Sequence, residues 1–485
     1  MNILFVASEC APFVKTGGLA DVIGSIPKAL EALGHTVKVL LPAYPAFKQW
    51  IKHGEVELEL EDLFGGSARV HSVRAKGLNL LLLEAEHLYD RGGSIYLDEE
   101  GCDWEDNPIR FGALSLLGAK IGLDGVGGWK PQIVSAHDWQ AGLVPVYLRQ
   151  SGRKAPPVVM TIHNIAFQGL FDGEIRETLG LTEGLYNPDG FEFWGHVGYL
   201  KGGIALSDKI TTVSPTYATE LLTPEYGMGL EGLLRSRQAD LVGILNGIDL
   251  DTWNPETDPA LVKPYSPRSL NRRVANREFL ENHFGIEPNE EAPMFCVISR
   301  LTTQKGLDLL LESIPTIVKR GARLIVLGSG DRDMEDRYLA MARRFPGSVG
   351  VQIGYDEDLS HKMQGGSDAI LMPSRFEPCG LSQLFGLRYG TIPVVARTGG
   401  LADTVIDANA AALISKCATG IQFTPVTVEA LDRAIHRTCD LFKDTKSWKT
   451  MMRRAMAQEV GWNSSAELYA NLFESLIKKK ATRTD

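Results

Sequence analysis

The 485-residue sequence has no excess of positive charge and no long apolar run. Its net charge is −10, with acidic and basic residues interspersed. This argues against a nucleic-acid or anionic-membrane partner, because such partners require a basic face. No apolar run approaches the roughly 20 residues that span a bilayer, and the run at Asn2–Ala7 has no basic segment before it, unlike a signal peptide. We therefore expect a cytoplasmic protein that binds neither membrane nor nucleic acid.

Close cysteine pairs and the common nucleotide-binding loops are also missing. The six cysteines are Cys10, Cys102, Cys296, Cys379, Cys417 and Cys439. Because they are far apart, we expect neither a zinc site nor a disulfide framework, and a reducing compartment is the default. No Gly-x-Gly-x-x-Gly follows the first apolar run, which weakens a dehydrogenase reading, and no loop has the spacing of a Walker motif.

The length and the apolar pattern predict an α/β protein of more than one domain. A chain this long is too large for one core. Strand Asn2–Ala7, a Gly-rich loop, helix Val22–Leu33 and strand Thr36–Leu41 follow one another, as in a parallel sheet covered on both faces. Further short apolar runs continue the pattern at Ile133–Ser135, Val158–Ile162 and Ile210–Val213.

The same pattern restarts in the second half. The predicted elements there are strand Met294–Ser299, helix Gly306–Lys319, strand Arg323–Leu327, strand Val349–Ile353, helix Asp358–Gln364, strand Ala369–Met372, helix Leu381–Arg388 and strand Ile392–Ala396. We predict two doubly wound, Rossmann-like domains at 1–243 and 244–455. The stretch Trp448–Lys480 has helical periodicity, and we expect a terminal helix within 456–485 to pack back on the first domain.

One hexapeptide occurs twice. Thr-Gly-Gly-Leu-Ala-Asp stands at Thr16–Asp21 and again at Thr398–Asp403, preceded by Lys15 and Arg397 respectively. Both copies follow an apolar strand and open a predicted helix. Ligands of open α/β sheets bind outside the carboxyl ends of the strands. We therefore expect two related domains facing one another across a cleft, each offering a helix N-terminus to a ligand.

Two loops carry the cations that a phosphate group needs. Lys15 precedes two glycines that let the backbone approach a ligand, although such a loop alone is more often a tight turn. Arg300 and Lys305 lie five positions apart on a predicted strand–loop–helix crossing, where both could reach one pyrophosphate. The alternative for that pair is a solvated basic loop.

Polar residues at the ends of other predicted strands complete the candidate set. Glu377 can hold sugar hydroxyls or cap the following helix, and Cys379 is a packing or backbone contact. Asp138 and His163 follow strands of the first domain, and the neighbouring His137 is equally a structural histidine. Asn246 lies in the presumed hinge, where Asn-Gly is also a simple turn signal.

Taken together, these motifs carry a family resemblance. They are Lys-Thr-Gly-Gly-Leu-Ala-Asp from Lys15, His-Asp-Trp around Asp138, Thr-x-His-Asn around His163, Val-Ser-Pro-Thr-Tyr at Val213–Tyr217, Asn-Gly-Ile-Asp from Asn246, Ser-Arg-Leu-x-x-Gln-Lys-Gly from Ser299, Pro-Ser-Arg-Phe-Glu-Pro-Cys-Gly-Leu from Pro373, and the second hexapeptide. In this order they resemble bacterial glycogen synthases and plant starch synthases. The resemblance covers nearly the whole chain and is weakest around Glu55–Arg74 and Pro255–Glu291.

The resemblance implies a fold and an activity. It implies a GT-B architecture of two domains and a glycosyltransferase that moves glucose from ADP-glucose to the non-reducing 4-hydroxyl of an α-1,4-glucan such as glycogen. The configuration at the transferred carbon is retained and ADP is released. Neither a metal nor pyridoxal phosphate is expected. The residues themselves do not decide between ADP and UDP, and the oligomeric state stays open.

The resemblance also assigns roles to residues. The expected catalytic residues are Glu377, His163, Arg300 and Lys305, with Arg300 and Lys305 on the diphosphate and Glu377 on glucose hydroxyls. The expected substrate-binding residues are Lys15, Gly18, Asp21, Tyr96, Asp138, Asn246, Tyr355, Cys379, Gly380 and Leu381. Among these, Tyr355 would stack on adenine and Tyr96 would contact glucose or the acceptor.

Two positions depart from related transferases. Phe385 stands where some relatives carry a second glutamate, a difference that favours this family. Trp194 and His196 are bulkier than the usual residues there, which bears on acceptor contacts. Two rival functions remain: a glucan phosphorylase with pyridoxal phosphate on a lysine, and a glucan-binding protein without catalysis.

Overall fold

An apolar strand near the start of each half of the chain lies in the middle of its own parallel sheet. The structure, a computed structural model, describes residues 1–482. One unit comprises Met1–Leu245 and the segment that begins at Trp462, and the other comprises Asn246–Gly461. The boundaries expected from sequence, after 243 and after 455, lie slightly earlier in the chain than these divisions.

The first unit contains a nine-stranded sheet and a small three-stranded one. Its strands are β1 (Asn2–Val6), β2 (Thr36–Pro42), β3 (Glu55–Leu60), β4 (Ala68–Ala75), β5 (Leu78–Glu84), β6 (Ile133–His137), β7 (Val158–Ile162), β8 (Leu170–Asp172), β9 (Glu192–Phe193), β10 (His196–Gly198), β11 (Lys209–Thr212) and β12 (Leu241–Gly243). The large sheet has the order β12-β11-β7-β6-β1-β2-β5-β4-β3, in which the β5–β4 and β4–β3 pairs are antiparallel and the others parallel. The small sheet is antiparallel, with the order β8-β10-β9.

Helices of this unit follow the strands. They are α1 (Gly18–Ala32), α2 (Lys48–Ile51), α3 (Glu86–Tyr89), α4 (Asn107–Asp124), α5 (Val144–Gln150), α6 (Ile175–Thr178), α7 (Tyr199–Leu206), α8 (Pro215–Glu220), α9 (Pro224–Gly227) and α10 (Glu231–Ser236). Helix α1 begins four residues earlier than predicted, inside the Gly-rich loop. Its N-cap residue Gly17 is extended, with φ −158°, so the chain enters the helix directly from the loop.

The second unit is a six-stranded, fully parallel sheet. Its strands are β13 (Met294–Ile298), β14 (Arg323–Gly328), β15 (Val349–Ile353), β16 (Ala369–Met372), β17 (Ile392–Ala396) and β18 (Ile421–Phe423). The order β15-β14-β13-β16-β17-β18 is the 3-2-1-4-5-6 arrangement of a doubly wound fold. Its helices are α11 (Arg273–Phe284), α12 (Leu307–Lys319), α13 (Arg332–Arg344), α14 (Glu357–Gly366), α15 (Ser382–Tyr389), α16 (Gly399–Thr404), α17 (Ala410–Ile414), α18 (Val428–Lys443) and α19 (Thr445–Met456).

The predicted apolar strands are confirmed to within two residues at each end. They are the most reliable part of the pattern because strands buried on both faces read as continuous apolar runs. Every residue of β6, β7 and β17 is buried. These strands bring the loops that follow them to one edge of each sheet.

The stretch Trp448–Lys480, which has helical periodicity in sequence, contains parts of two helices. It is divided between α19 of the second unit and α20 (Asn463–Thr482) of the first. In the break, the carbonyl of Val460 accepts a hydrogen bond of 2.8 Å from Ile248 N–H, and a Cβ at Gly461 would lie 2.7 Å from Leu250. This close backbone approach replaces helical hydrogen bonding.

Helix α20 packs on α1 and buries an apolar face. The buried face consists of Ala466, Tyr469, Ala470, Phe473 and Leu476. Between residues 1 and 482, no helix is both long and apolar enough to cross a membrane.

Candidate active site

In the second unit, the loops after β13 and β16 meet where the strand order reverses, which is the ligand-binding position of open α/β sheets. Lys305 comes from the first loop and Glu377 from the second. The Lys305 Nζ lies 2.8 Å from Glu377 Oε1 and 2.7 Å from Oε2, and both side chains are largely buried. Ser374 Oγ donates a third hydrogen bond of 3.0 Å to the same carboxylate. Two residues predicted separately from sequence are therefore one ion pair.

A second ion pair clamps these loops together. The Arg375 guanidinium donates two hydrogen bonds, of 2.6 and 2.7 Å, to the carboxylate of Asp308, and a third of 2.7 Å to the Thr303 carbonyl. The Arg375 backbone N–H also reaches the Gln304 carbonyl at 3.0 Å. A bidentate arginine fixes orientation as well as distance. Arg375 was missed from sequence, although it lies only two positions before Glu377.

The second hexapeptide copy packs against the backbone of the loop that carries Glu377. A Cβ at Gly399 would lie 1.9 Å from the Glu377 carbonyl oxygen, and one at Gly400 would lie 2.3 Å from that of Cys379. The Gly400 N–H donates to the carbonyls of Glu377 and Pro378, at 3.2 and 3.1 Å. This copy is covered by its own unit, which differs from the expectation that both copies present a helix N-terminus to a ligand.

Glycine is also required at Gly380, immediately after this segment. Its φ is +72°, in the left-handed region that an L side chain disfavours, and an added Cβ would meet Gln383 Oε1 at 2.4 Å. The Gln383 amide in turn donates to the carbonyls of Cys379 and Gly380. Leu381 follows and lines a small pocket together with Lys305 and Glu377. The predicted backbone contacts are therefore rigidly held beside the carboxylate.

Asn246 packs against Cys379. Burial raises the pKa of the Cys379 thiol to about 12, and the Asn246 backbone N–H points at the sulfur. The thiol is thus protonated at neutral pH and is a packing group, as predicted. Among the described residues, the buried Asn246 Oδ1 has no hydrogen-bond partner, so this oxygen is available to a ligand.

Two predicted donor-site residues are exposed in this unit. Arg300 follows β13, and its guanidinium makes no hydrogen bond to any residue within 1–482. Tyr355 follows β15, is 75% exposed, and donates from its hydroxyl to Glu357 Oε2 at 2.9 Å. Both side chains are therefore accessible to a nucleotide.

In the first unit, the strand order reverses between β1 and β6. The loop after β1 carries Glu9 and Lys15, and the loop after β6 carries Asp138. Lys15 Nζ lies 2.8 Å from Asp21 Oδ1, and both side chains are about one-third exposed. Gly18 is exposed where it opens α1. This edge therefore offers an accessible cation beside a helix start.

Glu9 organises the first hexapeptide copy and was not identified as a site residue from sequence. Its buried carboxylate accepts hydrogen bonds from the Thr16 N–H at 2.6 Å, the Thr16 hydroxyl at 2.9 Å and the Gly17 N–H at 3.3 Å. Burial nevertheless raises the pKa of Glu9. The Tyr96 hydroxyl lies 3.3 Å from the carboxylate and 2.7 Å from Ser8 Oγ. Tyr96 thus supports this loop. The sequence signal that could have identified Glu9 is an acidic residue seven positions before the Thr-Gly-Gly motif.

Asp138 and His163 are joined through the backbone. Asp138 has φ +54°, and its Oδ1 accepts from the backbone N–H groups of His163 and Asn164 at 2.7 and 3.4 Å. Burial raises the pKa of Asp138 to about 7, against the lowering effect of these two bonds. The carbonyl oxygen of His163 accepts no hydrogen bond from any described residue. Both the carbonyl of His163 and the second carboxylate oxygen of Asp138 thus lack a hydrogen-bond partner among residues 1–482.

The His163 side chain belongs to a buried relay. Its Nε2 lies 2.9 Å from His137 Nδ1, and His137 Nε2 lies 3.1 Å from Ser135 Oγ. Burial lowers the pKa of His163 to about 3 and that of His137 well below its usual value. Both imidazoles are neutral at physiological pH, so His163 is no proton donor there.

Two protein-family models match most of the chain. Residues 2–236 match the starch synthase catalytic domain, and residues 278–454 match glycosyl transferases group 1. The glycogen synthase of Roseobacter denitrificans is 63% identical over 477 residues, covering 98% of this chain and all of that protein. The chain belongs to the glycogen synthase family. The Rhizobium johnstonii glycogen synthase is 52% identical over 99% of this chain and its own full length.

Solved structures agree with this family. The catalytic domain of starch synthase IV from Arabidopsis thaliana, bound to ADP and acarbose, has a TM-score of 0.87 at 30% identity, covering 98% of this chain and 99% of that one. Sucrose-phosphate synthase from Thermosynechococcus elongatus has a TM-score of 0.60 at 17% identity over 99% of both chains, a likeness of fold alone. This glycogen synthase family member is a glycosyltransferase of two Rossmann-like units.

The departure at Phe385 has a packing reason in this member of the family. The Phe385 ring stacks on Trp253 at 3.6 Å, and the opposite face of Trp253 stacks on His361 at 3.8 Å. A glutamate at position 385 would lose this ring stacking on Trp253. The described residues contain no cluster of three or more His, Cys, Asp or Glu side chains that could hold a metal ion.

Proposed function

We propose that the chain transfers glucose from ADP-glucose to the non-reducing 4-hydroxyl end of an α-1,4-glucan such as glycogen, with retention of configuration and release of ADP. Glycogen synthases 50–63% identical to the chain over its full length support this activity. The structural observation that supports this activity is the Lys305–Glu377 ion pair where the strand order reverses, with the exposed Arg300 on the same loop as Lys305.

The second unit supplies the donor contacts in this proposal. Arg300 and Lys305 bind the diphosphate, since a guanidinium can grip two oxygens while an ammonium adds a point charge. Glu377 accepts from glucose hydroxyls, and the backbone of Cys379, Gly380 and Leu381 completes that contact. Tyr355 stacks on the adenine. The unpaired Oδ1 of Asn246 accepts a further sugar hydroxyl.

The first unit supplies the remaining contacts. Lys15 and Gly18 contact the phosphates and the glucose, because the loop is exposed and its other amide groups are held by Glu9. Asp21, Asp138 and His163 line the sugar pocket. Tyr96 contacts glucose or the acceptor.

Retention follows from attack on the face that the phosphate leaves. The acceptor 4-hydroxyl forms a bond to the anomeric carbon as the bond from that carbon to the phosphate oxygen breaks, and its proton passes to the departing phosphate. Arg300 and Lys305 stabilise the charge that grows on the phosphate. The unpaired carbonyl of His163 stabilises the positive charge on the sugar. A double displacement needs a free carboxylate nucleophile, whereas both oxygens of Glu377 are held by Lys305.

The proposal requires neither metal nor pyridoxal phosphate. It also places the chain in a reducing cytoplasm, because all six cysteines are free thiols. The test is glucose incorporation into glycogen by the purified full-length chain, from ADP-glucose and from UDP-glucose, with a chelator present. Incorporation from ADP-glucose alone is expected. Transfer from UDP-glucose alone would overturn the donor, and glycogen phosphorolysis with a pyridoxal absorbance band would overturn the reaction.

Arg300→Ala tests the donor site within this activity. We expect kcat to fall well over tenfold, because the charge that develops on the phosphate loses its partner. Thermal stability should not change, since the guanidinium makes no hydrogen bond to a described residue. Arg343→Ala, an exposed arginine on α13, is the matched control. A loss smaller than tenfold would contradict the assignment of Arg300.

A further inference from the structure

The hairpin between β9 and β10 presents a tryptophan ring to solvent. Trp194 is 83% exposed, the highest value among the exposed large apolar side chains of residues 1–482. The centroid of its ring lies 6.3 Å from that of the Phe193 ring. Exposure of a large aromatic ring on a soluble surface is unfavourable and often marks a binding site.

The hairpin holds this ring in place at a cost in backbone conformation. Trp194 has φ +53°, a region that bulky residues rarely adopt, and Gly195 follows with φ +82°. The Gly195 N–H donates to Glu192 Oε1 at 2.7 Å, and the Tyr186 hydroxyl donates to the Gly195 carbonyl at 2.8 Å. Side chains thus fix a strained turn from both sides, as is common at ligand contacts.

The small sheet behind the hairpin has one buried and one exposed face. Phe171 points to the buried side, where its ring packs against Trp139 and Tyr199. The register pairs His196 with both Phe193 and Asp172, so these three side chains share the opposite face. Leu170, two residues before Asp172, lies on that face as well. We call the set of Leu170, Asp172, Phe193, Trp194 and His196 the outer platform.

More apolar surface adjoins the outer platform. A Cβ at Gly229 would lie 3.4 Å from Phe193 Cζ, and Met228 just before it is 42% exposed. The Gln168 amide donates to the Met228 carbonyl at 3.0 Å, and its neighbour Phe167 is 54% exposed. Phe167 is only four residues beyond His163, so a short stretch of chain links this surface to the candidate active site of the same unit.

The chemistry of the platform fits a neutral sugar chain. A pyranose ring has apolar C–H faces that lie flat on aromatic rings and hydroxyl edges that need hydrogen-bond partners. The outer platform offers two aromatic rings, a carboxylate and an imidazole. It contains neither lysine nor arginine, which disfavours a phosphorylated ligand or an anionic lipid.

We propose that the outer platform binds a stretch of α-1,4-glucan beyond the residue being extended, with Trp194 as its stacking ring. This inference rests on the proposed function, because it takes the acceptor as its ligand. A rigid aromatic ring on a pinned turn binds without ordering cost. The platform would therefore favour long or branched acceptors, such as glycogen, over short oligosaccharides.

The test compares long and short acceptors in the full-length chain carrying Trp194→Ala. We expect KM for glycogen to rise roughly five- to tenfold. KM for maltotriose, KM for ADP-glucose and kcat should stay within about twofold. Retardation of the protein by glycogen in a native gel, without donor, should fall in parallel. Val56→Ala, an exposed apolar side chain on edge strand β3, is the control.

A second variant separates binding from stability. Trp194→Gly suits the positive φ, so its melting temperature should equal or exceed that of the parent while glycogen affinity falls as in Trp194→Ala. Unchanged glycogen affinity in both variants overturns the platform. So does an equal loss for glycogen and maltotriose, which would place Trp194 at the reaction centre. Dissociation of an oligomer without a change in glycogen affinity would overturn it in favour of a second copy.

The outcomes also distinguish this inference from the proposed function. If the parent protein transfers no glucose from any nucleotide sugar, the proposed function fails. Retardation by glycogen that still depends on Trp194 would then support the platform alone. Normal transfer with no dependence on Trp194 would leave the function standing and remove the platform.

Discussion

The two copies of Thr-Gly-Gly-Leu-Ala-Asp have the same letters and opposite surroundings. In the first copy, Thr16–Asp21, the two glycines are exposed and a Cβ at Gly17 would meet nothing within 4 Å. In the second copy, Thr398–Asp403, the glycines are buried and a Cβ at Gly399 would collide with the Glu377 carbonyl. The first copy is exposed to solvent, whereas the second is buried against the loop that carries Glu377.

The difference shows that one motif can lie exposed to solvent in one place and pack under a neighbouring loop in another. The first copy has its amide groups held by the side chain of Glu9. The second copy donates its Gly400 amide to the backbone of the Glu377 loop. Glycine is needed at the first for access and at the second for close packing.

The largest expected effect comes from alanine at the first glycine of each copy. Gly399→Ala should destabilise the second unit by about 2–4 kcal/mol, because the backbone has φ +42° and the new Cβ overlaps a carbonyl. Displacement of Glu377 should lower kcat by about two orders of magnitude. Activity assays and thermal unfolding measure both effects.

The matched variant is Gly17→Ala. Its backbone is extended and the space is empty, so stability should be kept or slightly raised. We expect any effect to appear in KM for ADP-glucose. If Gly17→Ala were as unstable as Gly399→Ala, the contrast between the copies would collapse.

The next effect separates the lysines associated with the two copies. Lys305→Ala leaves the buried Glu377 carboxylate with Ser374 as its remaining side-chain partner, which costs about 1–3 kcal/mol. Lys15→Ala breaks a pair that is about one-third exposed, worth about 0.2–1 kcal/mol. Denaturant unfolding should show a large loss only for Lys305→Ala, whereas both variants should lose activity. An intact, inactive Lys15→Ala protein would sharpen the ligand-contact role of the first copy, and a fully active one would contradict it.

The smallest effect is a pH dependence beside the first copy. The pKa of Asp138 is raised to about 7 by burial, so the folded state holds a proton that the unfolded chain has released. The stability that this proton gives is complete below about pH 4 and is lost as pH rises through 7. Asp138→Asn should therefore become more stable relative to the parent between pH 6.5 and 7.5, by less than about 1 kcal/mol.

Urea unfolding of both proteins across this range measures the difference. His137 and His163, with lowered pKa values, cost stability as pH falls below about 6.5. Because both proteins carry these histidines, their effect cancels in the comparison. A pH-independent difference would mean that Asp138 is already ionised throughout.

Much of the fold was predictable because its central strands are buried on both faces. Val158–Ile162 and Ile392–Ala396, every residue of which is buried, were located to the residue from apolar runs. Strands β3 to β5 were not predicted; β3 lies at the sheet edge and is mostly exposed, so no continuous apolar run marked it. The break before α20 depends on the close approach of Leu250 to Gly461, a contact between segments distant in sequence.

The site was predictable as a set of residues and not as a set of contacts. Lys305 and Glu377 were both named, but their pairing arises from the neighbouring positions of β13 and β16 in the sheet. Glu9 was missed because it lies outside the quoted motifs, and Arg375 because its partners, the Thr303 carbonyl and the Asp308 carboxylate, belong to a loop and helix distant in sequence. The covered state of the second hexapeptide copy could not follow from its letters, since the first copy has the same ones.

The position of α20 has a consequence for biosynthesis. This helix completes the first unit, with Ser465 Oγ donating to the Leu245 carbonyl at 2.5 Å and Lys480 Nζ to the Pro156 carbonyl at 3.1 Å. It is nevertheless synthesised only after the whole second unit. At 5–20 residues per second, synthesis of the second unit takes on the order of 10–40 s. During that time the surface of α1 that α20 contacts stays exposed. Until α20 is made, the nascent first unit must stay soluble with the surface of α1 that α20 contacts uncovered.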